Sequence, residues 1–108
     1  MIASVSIGTF VFHTAVQRAA PLGTHVPEDA DEMTRTMADA RKQGWQWITA
    51  TPHQRWSQVH GGVETVGYWF PAPKTTTRTV FLLHGHCADA SLTGELGAAY
   101  RERGFNVF

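Results

Sequence analysis

The chain has one cysteine, Cys87, among its 108 residues. A lone thiol forms no internal disulfide, so no cross-linked framework holds the fold and no redox compartment is signalled. An excess charge of one sign is also absent. Lys+Arg and Asp+Glu are both 9, and the formal net charge is zero. A nucleic-acid partner calls for a basic face, which a balanced chain does not offer. There is no internal repeat and no heptad run. Charged residues make up 17% and hydrophobic residues 43%. That balance suits a globular or membrane-associated chain, not a disordered one, and the length suits one small domain.

A long hydrophobic run is missing too. Residues 2–17, "IASVSIGTFVFHTAVQ", carry no formal charge with His13 neutral. They fall short of the roughly 20 apolar residues of a spanning helix. Ser, Thr, Gly and His interrupt them, and no Lys or Arg precedes them as in a signal peptide. Three readings stay open, in this order: a weak or truncated membrane anchor, a packed N-terminal element, and a cleaved signal. Pro21, Gly23 and Pro27 mark "PLGTHVP" as a linker. The chain divides into a hydrophobic segment at 1–22, a linker with an amphipathic helix at 23–53, and an α/β part at 54–108.

The helix is expected to begin near Glu28 or Asp29. Glu28, Asp29, Asp31 and Glu32 sit where the helix dipole favours negative charge, and they read as a solvated first turn rather than a metal site. Met33, Met37 and Ala40 form one apolar face, Asp31 and Arg35 are spaced as a surface pair, and Gly44 is a natural terminator. Trp45, Trp47 and Trp56 read as packing residues rather than a ligand platform. "QRWSQVH" (54–60) and "VETVGYWF" (63–70) look like strands joined by the two-residue hairpin signal Gly61-Gly62. Pro71 and Pro73 end the second strand, and 74–78 is an exposed loop.

"TVFLLH" (79–84) is the pattern of a strand buried on both faces. Leu92, Leu96, Ala99 and Tyr100 then repeat at helical spacing. Asp89 or Ser91 can cap that helix and Gly104 can close it. "FNVF" (105–108) restarts a strand pattern. Strand, helix and strand make a βαβ unit with a parallel pair. A parallel sheet needs cover on both faces, and one crossover helix covers one. The fold class is therefore α/β, and the pattern is that of the opening of a larger α/β domain.

A strand running into His84-Gly85-His86, a small polar loop, a helix ending in "YRERGFNV" (100–107) and a further strand resemble the N-terminal part of the α/β-hydrolase fold. "WSQVHGGVETVGYWFPAPKTTTRTVFLLHGH" (56–86) looks like its first hairpin and third strand. The resemblance covers about residues 40–108, and the first forty loosely. Bacterial members, cell-surface hydrolases included, often carry a leading hydrophobic anchor and a helix ahead of the hairpin. Family nucleophiles sit on a Gly-x-Ser-x-Gly elbow, with the acid and histidine later. No such motif occurs here. The resemblance thus implies an N-terminal fragment without nucleophile, acid or catalytic histidine, inactive by itself. Its parent would hydrolyse a small ester, amide or related acyl bond through an acyl-enzyme, with no cofactor, no metal and no nucleic acid. The implied location is the membrane or cell surface through the N-terminus, otherwise the cytoplasm.

By that resemblance the backbone N–H of His86 supplies half of an oxyanion hole, Gly85 allows close backbone approach, and His84 orients the loop. Competing readings stay open. His84 and His86 are two apart on an extended chain, face the same way and have Cys87 beside them. A structural zinc site wants four ligands, and His53 and His60 would have to complete it. Cys87 as a nucleophile needs a base and an orienter. The plainest reading makes Cys87 a small loop residue. The alternative function is a small non-catalytic protein, membrane-tethered or metal-binding.

Overall fold

Helix α1, Glu32–Ala50, starts where Asp31 leaves extended backbone and its carboxylate accepts from Thr34 N at 2.7 Å. The computed structural model to which this helix belongs describes residues 26–85 and 88–108. The anchor, packed-element and signal readings of residues 2–17 lie outside the described residues, as do His86 and Cys87. Among the described residues no helix is long and apolar enough to cross a membrane.

The acidic residues expected at the start of the helix are there, with Asp31 as the cap and not Glu28 or Asp29. Arg35 does not reach back to Asp31. Its guanidinium donates to the Glu28 carbonyl at 2.8 Å, satisfying a group just ahead of the helix. Gly44 does not end the helix either. It is buried mid-helix, and α1 runs on to Thr51, whose N–H bonds the Trp47 carbonyl at 3.0 Å. Close packing explains this glycine: a Cβ here would lie 1.8 Å from the Ser91 carbonyl oxygen. A Cβ on Gly94 would in turn lie 2.6 Å from Gly44 Cα. The inward stripe is thus Ala38, Arg41, Gly44 and Ile48, while Met33, Met37 and Ala40 are exposed. Apolar periodicity pointed to a neighbouring face because glycine contributes contact without contributing hydrophobicity.

Strand β1 (Gln54–His60) and strand β2 (Val63–Trp69) form the expected antiparallel hairpin, with His60 opposite Val63. Gly61 and Gly62 both have positive φ, +57° and +77°, as a two-residue turn of the primed type demands. Strand β3 (Thr79–Val80) and strand β4 (Asn106–Val107) are parallel. Between them lie a short 3₁₀ turn, Ala90–Thr93, and helix α2, Gly94–Glu102. The regular part of β3 is shorter than 79–84, but its ladder reaches further. Asn106 N donates to Arg78 O, Phe108 N to Val80 O and Leu82 N to Phe108 O, all at 2.8–2.9 Å. Phe70 then exchanges both backbone bonds with Val107, at 2.8 and 2.9 Å, and joins the hairpin to the parallel pair. The strands follow one another as β1-β2-β4-β3. Mixed helix and sheet of this kind is an α/β arrangement.

Both helices lie on one face of these strands. Ile48, Phe70 and Val107 form the core, with Trp47, Tyr68, Val80, Leu82 and Tyr100 packed around it. Trp47 meets Phe70 at 4.4 Å between ring centroids. No described residue covers the opposite face. Trp56 is 57%, Phe81 69% and Leu83 89% exposed, and Phe108 touches Trp56, Trp69 and Phe81 there at 5.6–6.5 Å between centroids. The described residues therefore cover 79–84 on one face, not two. Nor does helix α2 present Leu96 to the core. Leu96 is exposed, and Gly94 and Gly97 are the buried positions, because α2 lies too close to α1 and Trp47 for a larger side chain.

Candidate functional site

The carboxyl end of β3 is where an α/β fold tends to place its site. His84 follows Leu82 and Leu83 there. It is exposed, with its Nδ1 3.0 Å from the Gly85 carbonyl oxygen. That carbonyl also accepts from Ala88 N at 3.3 Å, and Ala88 is buried. Gly85 has open space around it: a Cβ would meet nothing within 4 Å. Its side of the loop is thus accessible to a reactant. His86, assigned the oxyanion N–H, lies outside the described residues.

The far side of the loop is braced. Asp89 caps the 3₁₀ turn by accepting from Ser91 N at 2.9 Å, and the Ser91 hydroxyl donates to the same carboxylate oxygen. Arg41 from α1 places its Nε 4.0 Å from the other oxygen of Asp89. Ser91 is only 1% exposed and lies under Gly44. Its hydroxyl is committed to a carboxylate and sealed from substrate, so it holds the loop rather than attacking anything. Arg41 was not singled out in the sequence. No spacing rule links a helix residue to a loop almost fifty positions later.

Beside this loop is a cleft of about 190 Å³, open to solvent. Trp47, Ile48, Phe70 and Val107 form its floor. One wall is Thr65–Tyr68 of β2 and the other is Leu82–His84. Among the described residues no Asp, Glu, Lys or Arg lines it. Such a lining suits an apolar group, with His84 as a polar point on the rim. Trp47 is both a packing residue, as read from the sequence, and part of this floor.

His53 and His60 do not gather here. His53 Nδ1 sits 2.7 Å from the Thr51 carbonyl oxygen, and its ring packs on Tyr68 and Phe70 at 5.6 and 5.2 Å between centroids. His60 is at the other end of β1, about 20 Å away at the usual rise per strand residue. The two cannot complete one coordination sphere. Among the described residues no three His, Cys, Asp or Glu side chains cluster as metal ligands. Comparison with protein-family models, curated proteins and solved structures gives no match for this chain.

Proposed function

We propose that residues 54–108 are the opening part of a serine-type α/β-hydrolase sheet. In the parent protein they would supply the wall and oxyanion loop of a site that cleaves an ester, amide or related acyl bond. The observation that carries this reading is the end of β3. An accessible His84-Gly85 step leaves the carboxyl end of a parallel strand, beside an apolar cleft, and is followed by a braced turn into the crossover helix. The hairpin ahead of it and the single-sided cover of the sheet fit the same architecture.

The chemistry follows from the placement. An acyl-enzyme route builds an oxyanion next to the nucleophile, and fixed backbone N–H groups stabilise it in a water-poor site. His86 would give its main-chain N–H, so its imidazole is not needed. Residues 54–108 contain no Gly-x-Ser-x-Gly, and Ser91 is buried. By itself the chain should therefore be inactive, since a donor without a nucleophile has little to act on. The uncharged stretch 2–17 would tether the parent at a membrane or cell surface.

Reading the coding DNA in frame beyond Phe108 tests this directly. A Gly-x-Ser-x-Gly elbow downstream is the expected result. Its absence from every frame would overturn the proposal. In an active parent, losing one oxyanion donor costs about 10² to 10³ in turnover. His86→Ala keeps the N–H and should stay within roughly tenfold of wild type, whereas His86→Pro should be nearly dead. Activity lost in His86→Ala and restored by zinc would favour a metal centre instead.

A further inference from the structure

Among the described residues strand β1 has a partner on one side only, β2. The phase of the ladder shows which groups face the other way. Phe70 turns both backbone bonds towards Val107, so alternation turns Trp69, Gly67, Thr65 and Val63 onto β1. Their partners are Gln54, Trp56, Gln58 and His60. The N–H and C=O groups of Arg55, Ser57 and Val59 therefore point outward along a regular edge. The devices that usually blunt such an edge are missing. β1 has no proline, no lysine and no bulge, and all seven of its residues are exposed. β2 separates this edge from β4, so whatever continues β4 leaves it unchanged.

We propose that β1 pairs antiparallel with β1 of a second copy, about a two-fold axis through Ser57, so that one sheet runs across a dimer. Side-chain charge selects that register. Centred on Ser57, the ladder sets Arg55 opposite Val59 of the second copy and satisfies every outward group of both strands. Centred on Arg55, it would set two guanidinium groups directly opposite each other. Centred on Val59, it would run into the Gly61-Gly62 turn. Arg55 already reaches Glu64 of its own copy at 3.2 Å, with both side chains half exposed. Arg55 lies opposite Tyr68, so that contact spans a four-residue offset, about 13 Å along the strand. In the dimer the row through Arg55 continues to Val59 and then to Glu64 of the second copy, two strand spacings or about 10 Å away. Each Arg55 thus gains a second carboxylate within reach. On the other face Trp56, 57% exposed, lies diagonal to Trp56 of the second copy, close enough for an aromatic pair. One strand against another is a contact at the small end of interfaces, below about 1,200 Å², so the dimer forms and parts with concentration.

This inference is independent of the hydrolase reading, and an esterase assay has no bearing on it. Amide hydrogen exchange on the full chain, from low to high micromolar concentration, tests it. The N–H groups of Arg55, Ser57 and Val59 should slow at least about tenfold at the high end and recover on dilution. Fast exchange at every concentration overturns the proposal. Slow exchange at every concentration also overturns it and assigns the edge to another segment of the same chain. Val59→Lys checks the register. Within one copy the new ammonium faces Glu64, a favourable pair, but across the axis it faces Arg55. The concentration dependence should therefore vanish, and adding Arg55→Glu to Val59→Lys should restore it. Failure of either step overturns this pairing. Ser57→Pro gives an answer even if those variants misfold, because the Ser57 N–H faces away from β2 and proline is tolerated at such an edge position. Arg55 and Val59 should then exchange fast at every concentration. Slowing at high concentration in Ser57→Pro overturns the proposal.

Discussion

Among the described residues, one face of the sheet is packed and the other is bare, although the same strands make both. On the packed face Phe70 and Val107 are 4% and 3% exposed, under Ile48 at 3%. On the bare face Phe81 and Leu83, neighbours of half-buried Val80 and Leu82, stand 69% and 89% exposed. Composition does not separate the faces, since both are apolar and aromatic. What separates them is that α1 and α2 both lie on the same side. A face this apolar in a chain of neutral net charge invites association.

The contrast breaks most sharply at two phenylalanines. Truncating buried Phe70 removes the ring that meets Trp47 and keeps the backbone bridge to β4. Phe70→Ala should cost about 3–5 kcal/mol, a large part of what a small domain has. Phe81→Ala removes a ring of the same size from the bare face and should change stability by no more than about 0.5 kcal/mol. Urea titration of both variants checks this. Comparable losses would mean that the bare face is covered.

Next in size is the helix contact. Gly44→Ala sets a methyl against the Ser91 backbone, which no rotamer change relieves. Overpacking of that kind costs about 1–3 kcal/mol. It should also loosen the Asp89–Ser91 turn, visible as faster amide exchange at Ser91. A stable variant with an unaltered turn would contradict the contact. Smaller in stability but plain in association is Leu83→Lys. It should leave the melt within about 0.5 kcal/mol while shifting a self-associating chain towards monomer on size exclusion. An unchanged elution profile would remove the bare face as the cause of association.

Local chemistry made most of the elements legible. The hairpin, its Gly61-Gly62 turn and both strand ends could be read because turn residues and period-2 patterning act within a few positions. Asp89 was legible as a cap for the same reason, although it caps the 3₁₀ turn while helix α2 itself starts after Thr93. The faces were not. Met33 and Met37 suggested an apolar stripe, but Gly44 and Gly94 decide how the helices meet, and a hydrophobic pattern does not register glycine. The extent of β3 cover depends on where two helices go, a long-range property. Of the candidate site, His84 and Gly85 could be placed at a strand end from sequence. Arg41 beside Asp89 and the walls of the cleft needed the assembled sheet.

The smallest expected effect lies at the start of α1, far from either face. The Thr34 N–H, and then the Thr34 side chain, hold the Asp31 carboxyl below its ordinary value of 3.8. A carboxylate lowered by folding adds stability that is present above its ordinary value. That stability is lost as pH falls through the lowered one. Acid should therefore fray the first turn of α1, starting just below pH 4. Asp31→Asn keeps a good cap without a titrating group. At neutral pH its helix signal by circular dichroism should nearly match wild type. The two proteins differ only at residue 31, so the difference between the two acid curves belongs to Asp31. That difference should open only below its ordinary value, with the variant the more helical. Superimposable curves would show that the Asp31–Thr34 bond does not persist in solution, and α1 would then begin without its cap.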